Sequence, residues 1–116
     1  MIELTEERIE NIRKDPNNKD WYTISRNYIL SEDFMREFQN YLIWGYVSWR
    51  QILSENFIRE FQNKFDWYKY DWYYICKYQV LSKQFIIEFI DKINFIAICM
   101  NDNVSQDVKD YCRMFV

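Results

Sequence analysis

The sequence predicts an all-α protein in which short tandem helix-turn-helix repeats pack as a small α-solenoid-like array. A segment with the pattern of a helix start occurs three times, and each copy is preceded by a shorter amphipathic segment that begins with Trp. The chain of 116 residues also contains one Gly and one Pro. An internal repeat indicates the architecture of a chain directly, and scarcity of Gly and Pro is typical of helices rather than loops.

The repeated segment begins with Leu and Ser and continues with apolar residues at helical spacing. Its three copies are residues 30–38, 53–61 and 81–89. A Ser at this position can accept hydrogen bonds from the unpaired backbone N–H groups of the first helical turn. The preceding Leu can pack against the apolar residue five positions later as a hydrophobic staple. We therefore predict that Ser31, Ser54 and Ser82 cap the longer, second helix of each repeat.

A shorter amphipathic segment precedes each capped segment. Its first residue is Trp21, Trp44 or Trp72. An apolar residue and then a small residue follow the Trp, and the eighth residue after it is again apolar: Ile29, Ile52 or Val80. We predict an amphipathic first helix of about two turns, with the small residue where another backbone packs closely. Asp20 and Asp71 are candidate N-caps of two of these helices.

The repeats extend over nearly the whole chain, so a single domain is predicted. Its expected parts are a capping helix at 4–14, repeats at 21–42, 44–65 and 67–93, and a degenerate repeat at 95–115. Terminal repeats that depart from the pattern are typical of such arrays. Residues 67–71 are an insertion. An unbroken helix through it would rotate its face by about 140°, whereas a new helix capped by Asp71 would leave an aromatic loop.

Composition and charge exclude several classes of function. The net charge is −3 with both signs mixed along the chain, whereas strong nucleic-acid binders carry a basic stripe. No apolar run reaches the roughly 18 residues that span a bilayer, and the acidic N-terminus is unlike a signal peptide, so we expect no membrane association and a cytoplasmic location. The chain has no His and no glycine-rich phosphate loop, so we expect neither enzymatic activity nor a cofactor.

The recurring thiol and carboxyl groups have structural interpretations. Cys76 and Cys99 occupy the small-residue position that is Ser in the other repeats. We interpret them as small buried residues rather than metal ligands or redox groups, because free Cys behaves as a small apolar side chain. Glu37, Glu60 and Glu88 recur at one position. They are expected on a solvated helix face, since catalytic use would require a pocket with perturbed acids.

Aromatic residues outside the shared positions are surplus to the predicted core. They are Tyr22, Tyr46, Trp49, Tyr68, Tyr70, Tyr73, Tyr74 and Tyr78. Interface centres are enriched in Trp, Tyr and Arg, so part of this set is predicted to bind a protein partner. The predicted partner-binding residues are Trp49, Arg50, Tyr68, Tyr70, Tyr73, Tyr74 and Tyr78. The competing interpretation is that these rings add to the core and to helix–helix packing.

The shared positions also carry a resemblance. In the second repeat they are Trp44, Val47, Ser48, Gln51, Leu53, Ser54, Phe57 and Ile58. In the third they are Trp72, Ile75, Gln79, Leu81, Ser82, Phe85 and Ile86. In the form W-x-x-I-S-x-x-Q-x-L-S-x-x-F-I they resemble short tandem helical repeats of giant DNA viruses, bacteriophages and some bacterial proteins. The resemblance implies a non-enzymatic interaction protein in the host cytoplasm. By analogy with small phage proteins, it also implies an inhibitor of a host defence such as a CRISPR nuclease.

Two other functions use the same residues. The basic residues interleaved with the aromatics are Arg50, Lys64, Lys69 and Lys77. Together they could stack the bases and bind the phosphates of single-stranded nucleic acid, although Asp66 and Asp71 lie in the same stretch and oppose this. Self-association, for example as a homodimer, is the other alternative. A steep salt dependence of binding would indicate nucleic acid, and the molecular mass in solution would indicate self-association.

Overall fold

The computed structural model describes residues 1–66 and 70–116, and most of this part of the chain is helical. The helices are α1 (Glu6–Lys14), α2 (Trp21–Asn27), α3 (Glu32–Glu37), α4 (Trp44–Arg50), α5 (Glu55–Glu60), α6 (Asp71–Tyr78), α7 (Lys83–Glu88), α8 (Phe95–Cys99) and α9 (Gln106–Arg113). Strands β1 (Ile2–Glu3) and β2 (Tyr28–Ile29) form a short parallel pair. The prediction of an all-α protein is confirmed. We call α2, α4, α6 and α8 first helices, and α1, α3, α5, α7 and α9 second helices.

The chain divides into two compact units, residues 1–51 and 52–116, which we call unit 1 and unit 2. In unit 1, α2 packs against α4, and in unit 2, α8 packs against both α6 and α9. The buried apolar residues of unit 1 are Ile12, Trp21, Ile24, Leu30, Phe34, Met35, Phe38, Leu42, Trp44 and Val47. Those of unit 2 include Leu53, Phe57, Ile58, Phe61, Trp72, Ile75, Leu81, Phe85, Ile86, Phe89 and Ile98. These residues follow the predicted apolar stripes.

The second helices begin where the sequence predicts. Ser31, Ser54 and Ser82 each accept a hydrogen bond from the backbone N–H three residues later, at 3.0, 3.1 and 3.1 Å. Thr5 and Ser105 cap α1 and α9 in the same way. Each such cap stabilises its helix by about 1 kcal/mol. Short polar side chains thus fix the starting residue of each second helix.

The second helices are shorter than predicted. Helices α3, α5 and α7 have six residues each, fewer than the seven or eight of α2, α4 and α6. Short 3-10 turns, Gln62–Lys64 and Ile90–Lys92, follow α5 and α7 after one residue. At the end of two of them a glutamine side chain binds a backbone carbonyl oxygen of the last helical turn. Gln39 Nε2 donates to Arg36 O at 3.0 Å, and Gln62 Nε2 donates to Arg59 O at 3.1 Å. That carbonyl would otherwise accept the N–H of the next helical turn, so the amide favours termination.

The first helices α2, α4 and α6 have the predicted length of about two turns and stop at Asn27, Arg50 and Tyr78. The apolar pattern of these segments also included Ile29, Ile52 and Val80, but these residues lie beyond the helices and are 43%, 89% and 67% exposed. The chain is extended here, and successive side chains of an extended segment point in opposite directions. The two neighbours of each of these apolar residues point towards the core, so the apolar residue itself points to solvent.

Buried amide side chains bind the extended segments that follow the first helices. In unit 1, Gln51 Nε2 donates to Ser25 O at 3.0 Å and to Tyr28 O at 2.7 Å, while Gln51 Oε1 accepts Leu30 N–H at 3.0 Å. The same segment pairs with β1, with Ile2 opposite Tyr28. One amide therefore satisfies three backbone groups that would otherwise be buried without partners.

Unit 2 contains the same type of interaction. Asn101 Nδ2 donates to Cys76 O and to Gln79 O, both at 2.8 Å. Gln79 Oε1 accepts Leu53 N–H at 2.9 Å. Gln79 and Asn101 are 3% and 0% exposed. A buried amide thus follows each of these first helices and bonds the backbone of an earlier turn.

The small residues of the first helices bind a backbone N–H as well as permitting close packing. Ser25 Oγ accepts the N–H of Ile43 at 3.0 Å, and Cys76 Sγ accepts the N–H of Asn94 at 3.4 Å. Ile43 and Asn94 immediately precede the next first helix of their units. This role explains why the position holds Ser or Cys, which are small and also carry an acceptor atom.

The insertion before α6 does not continue the preceding helix. Phe65 is extended, with φ −88° and ψ 116°, which excludes an unbroken helix. Asp71 is the first residue of α6 rather than its N-cap, and its buried carboxylate accepts Asp66 N–H at 2.8 Å. Asp20, in contrast, caps α2 as predicted. The start of the predicted repeat at 67–93 falls on residues 67–69, which lie outside the described residues.

Replacing Gln51 with Leu is expected to lower the free energy of unfolding by about 3 kcal/mol, because three backbone groups lose their partner in a buried site. Urea denaturation followed by circular dichroism measures this change. Gln84→Leu is the matched control, since Gln84 is exposed on α7 and its replacement should change stability by less than about 0.5 kcal/mol. Equal stability of the two variants would contradict the role of the amide.

Candidate functional site

The outward faces of α2 and α4 carry a cluster that we call the unit-1 aromatic surface: Tyr22, Arg26, Tyr46, Trp49 and Arg50. The Tyr22 and Tyr46 rings meet edge to face with centroids 6.1 Å apart, and the Tyr46 and Trp49 centroids are 6.3 Å apart. Tyr22 is 62% exposed and Trp49 38% exposed. The packing of α2 on α4 therefore brings the predicted residues Trp49 and Arg50 together with three others.

Both arginines of the unit-1 aromatic surface lie over aromatic rings. The guanidinium carbon of Arg26 is 5.5 Å from the Tyr46 ring centroid, and that of Arg50 is 5.3 Å from the Trp49 centroid. Arg50 Nε also donates to Arg26 O at 3.3 Å. Cation–π contacts of this kind orient a guanidinium and leave its in-plane N–H groups available at the edge.

The exposed side of α6 carries the second cluster, the unit-2 aromatic surface: Tyr70, Tyr73, Tyr74, Lys77 and Tyr78. Successive ring pairs along it are 5.7 to 6.4 Å apart, and the Tyr74 and Tyr78 rings are stacked. Tyr70 is 68% exposed and Tyr78 37% exposed. The structure thus brings together four of the predicted tyrosines, while Tyr68 lies outside the described residues.

Lys77 lies between two of these rings. Its ammonium nitrogen is 5.8 Å from the Tyr73 ring centroid and 5.3 Å from the Tyr78 centroid. Interaction with the Tyr73 and Tyr78 side chains raises the pKa of Lys77 above its usual value. Lys77 is therefore a cation at neutral pH within the aromatic cluster.

The surplus aromatics that the structure describes are at the surface. Tyr22, Trp49, Tyr70 and Tyr78 are exposed, and Tyr46, Tyr73 and Tyr74 are half-buried. Their contacts with one another and with cations keep the rings oriented. Sequence reasoning did not select Arg26, because its value becomes clear only when α2 is seen to pack beside α4.

A cavity of about 360 Å³ adjoins the unit-2 aromatic surface. Its lining residues are Tyr70, Trp72, Tyr73, Asp91, Lys92, Ile93 and Asn94. Lys92 Nζ lies 5.4 Å from the Trp72 ring centroid. Trp72 Nε1 is buried and makes no hydrogen bond within the described parts of the chain. The cavity therefore combines an aromatic wall, a cation and an unused donor, which suits a side chain that carries an acceptor.

Two of the recurring glutamates are held by arginines. Glu37 Oε2 is 2.6 Å from Arg13 Nε and Glu37 Oε1 is 2.9 Å from Arg13 Nη2, and both oxygens of Glu88 lie within 3.0 Å of Arg59 Nε. The hydrogen bond from Arg13 lowers the pKa of Glu37 below its usual value. A general acid needs a raised pKa, so this environment favours a structural, ionised carboxylate.

Two of the three thiols are in environments that suppress their reactivity. All three cysteines are free, and Cys76 and Cys112 are buried. Burial raises the pKa of Cys76 to about 12 and raises that of Cys112 above its usual value. Such thiols are protonated at neutral pH and are poor nucleophiles and metal ligands. In residues 1–66 and 70–116 no group of three or more Cys, Asp or Glu is placed to hold a metal ion, and no helix there has the length and apolarity to cross a membrane.

The chain matches no protein-family model, no curated protein and no solved structure. The resemblance of its repeats to viral and phage helical repeats therefore rests on the motif residues alone. The two aromatic surfaces, their cations and the adjoining cavity are the features from which a function can be inferred.

Replacing Arg13 with Gln is expected to raise the pKa of Glu37 towards its ordinary value of 4.5, because the guanidinium that stabilises the carboxylate is removed. Carboxyl chemical shifts followed by NMR during a pH titration measure this change. Arg113→Gln is the control, since Arg113 pairs with Asp110 instead. An unchanged pKa of Glu37 in the Arg13 variant would contradict the ion pair.

The same pair predicts a pH-dependent difference in stability. The pKa of Glu37 is lower in the folded than in the unfolded chain, so the stabilisation is complete above the ordinary value of 4.5 and is lost as the pH falls through the folded value. Wild type is therefore expected to be more stable than the Arg13 variant near neutral pH, and the two should converge in acid. Both side chains are about 40% exposed, so the difference is expected to be small.

Cys99 is expected to react with a thiol reagent in the native protein before Cys76 and Cys112, because Cys99 is half-buried while the other two are buried. Alkylation followed by mass spectrometry gives the order of labelling. Cys99→Ser should remove the fast reaction, and denaturant should make the remaining thiols react together. Labelling of Cys76 as fast as Cys99 in the native state would contradict the burial of this position.

Proposed function

We propose that the chain is a non-enzymatic protein-interaction module, a small α-solenoid-like array that presents the aromatic side chains of its first helices to a protein partner. The observation that carries the proposal is the position of the surplus rings. Their helices bury one face in the core, and the opposite face displays Tyr, Trp, Arg and Lys. These are the residue types that supply most of the binding energy at protein interfaces.

Equivalent interactions at equivalent positions support the array. Within unit 1, Gln51 bonds the backbone of the preceding turn, and within unit 2, Asn101 does the same. Each of the second helices α3, α5 and α7 begins at a Ser cap that follows a buried Leu. Repeated local interactions of this kind are typical of helical-repeat proteins, in which each repeat contacts its neighbours and the outer faces serve binding.

The aromatic surfaces are also pre-organised. The ring–ring and ring–cation contacts restrict the side chains before any partner binds. A restricted aromatic side chain loses little conformational entropy on binding, and it can bury up to about 200 Å² of surface. Exposed rings held in this way favour recognition over core stabilisation.

The resemblance of the repeats supplies a class of partner. We propose that the partner is a host defence protein, such as a CRISPR nuclease, that the chain binds stoichiometrically in the cytoplasm of the host of a virus or phage. The protonated thiols of Cys76 and Cys112 and the ionised carboxylate of Glu37 fit a function by binding rather than by catalysis.

Replacement of the exposed rings should weaken partner binding by about tenfold or more, because hot-spot residues contribute about 2 kcal/mol or more each. The test variants are Tyr46→Ala/Trp49→Ala in unit 1 and Tyr70→Ala/Tyr74→Ala in unit 2. The partner is isolated by affinity capture from host cells, identified, purified and titrated by calorimetry. Ile87→Ala, at a 49% exposed site on the second helix α7, is the matched control and should bind as wild type.

Unchanged binding by both double variants would contradict the proposal. If both double variants keep their circular dichroism spectra and bind the purified partner as tightly as wild type, these surfaces are not the interface. Preferential binding of a labelled oligothymidylate, with affinity falling steeply as salt rises, would favour the nucleic-acid alternative. Loss of a dimer in the ring variants, seen by sedimentation equilibrium, would favour self-association.

A further inference from the structure

Apart from one buried carboxylate, the first helices carry only cations, whereas the second helices carry charges of both signs. The charged residues of α2, α4, α6 and α8 are Arg26, Arg50, Asp71 and Lys77. Asp71 is buried, and its carboxylate bonds the backbone of Asp66. The charged residues of the first helices that are not buried are therefore all positive, although the net charge of the chain is −3. The acidic residues of the helices are concentrated in the second helices.

The two arginines of the unit-1 aromatic surface also differ from most others in their partners. Arginines in ion pairs with carboxylates are Arg13, Arg36, Arg59 and Arg113. Arg26 and Arg50 have no carboxylate within ion-pair distance in the part of the chain that the structure describes. Arg26 interacts electrostatically with the Asp20 carboxylate, which lies beyond ion-pair distance. The closer contacts of the two arginines are the rings of Tyr46 and Trp49, the Asn27 side chain and one backbone carbonyl.

The geometry of these arginines suits a carboxylate that comes from outside. The Nε–H of Arg26 donates to Asn27 Oδ1 and that of Arg50 donates to Arg26 O, both at 3.3 Å. The end of each guanidinium, formed by its two Nη groups, is therefore the part that can bind a carboxylate through two parallel hydrogen bonds. The two guanidinium groups lie over the neighbouring rings of Tyr46 and Trp49, whose centroids are 6.3 Å apart, so they belong to one surface. This arrangement offers two anion-binding groups within an apolar, aromatic frame.

We propose that the unit-1 aromatic surface binds an acidic segment of a protein partner, with Arg26 and Arg50 receiving carboxylates and Tyr46 and Trp49 packing against adjacent apolar side chains. The inference rests on the proposed function and adds the chemistry of the partner. An acidic protein is favoured over nucleic acid because the surface has two cations, whereas nucleic-acid binding depends on many phosphate contacts.

The probe for this proposal is a fluorescein-labelled copolymer of glutamate and tyrosine, titrated with the full chain and followed by fluorescence anisotropy. The test variant is Arg26→Gln/Arg50→Gln. The matched control is Arg8→Gln/Arg113→Gln, which removes the same charge from two second helices. A second test variant, Arg26→Lys/Arg50→Lys, keeps the charge but loses the two-point geometry. Circular dichroism confirms that each variant is folded.

We expect the glutamate–tyrosine copolymer to bind wild type and the control alike, and to bind the Gln variant about tenfold or more weakly. The Lys variant should be intermediate, and a lysine–tyrosine copolymer should not bind. Equal affinity of wild type and the Gln variant would overturn the proposal. Tighter binding of oligothymidylate than of the acidic copolymer, with the same dependence on Arg26 and Arg50, would also overturn it in favour of nucleic acid.

The proposed function is tested separately with the purified partner. If Tyr46→Ala/Trp49→Ala weakens partner binding while Arg26→Gln/Arg50→Gln does not, the interaction surface stands and the acidic partner is wrong. If neither double variant weakens partner binding, the proposed function of unit 1 fails as well. Weakening by both variants, together with the copolymer result, supports the two proposals.

Discussion

The fold depends on a single recurring constraint: the backbone that leaves α2, α4 and α6 is extended and partly buried, yet it has little strand pairing of its own. Buried carbonyl and N–H groups need partners. A carboxamide supplies a donor and an acceptor at once, and Gln51 uses both on the segment from Ser25 to Leu30. In unit 2, Gln79 accepts the N–H of Leu53, and Asn101 donates to the carbonyl oxygen of Cys76. Each amide lies later in the chain than these backbone groups, so these hydrogen bonds connect two successive parts of the chain.

The features that follow from short-range sequence signals could be predicted. The Ser caps, the buried Phe and Ile of the second helices and the Trp at the start of each first helix all lie within one or two turns of the residues that determine them. Caps and apolar periodicity act locally, and they are readable without knowing the neighbours. The all-α class follows from them, as does the surplus of aromatic residues beyond the core.

The features that depend on distant residues could not be predicted. Gln51 lies 21 residues from Leu30, whose N–H it binds, and nothing local marks it as buried. The same holds for Ile52, which the helical pattern placed on an apolar side and the extended backbone turns to solvent. In the candidate site, Trp49 and Arg50 were identified from composition. Arg26 acquires its role only through the contact of α2 with α4, where Tyr46 and Arg50 meet it.

Trp72 differs from Trp21 and Trp44 in the hydrogen bonding of its indole N–H. In unit 1, Trp21 Nε1 and Trp44 Nε1 each donate to the carbonyl five residues earlier, at 2.8 and 3.0 Å. The equivalent position for Trp72 falls within the insertion, and among the described residues its buried N–H has no acceptor. The insertion also adds Tyr70, which contacts Tyr73 and Tyr74. An unused buried donor is costly, and sequences break local rules mainly at functional sites. Trp72 lines the same cavity as Tyr70, which is 68% exposed, and this favours a function for that surface.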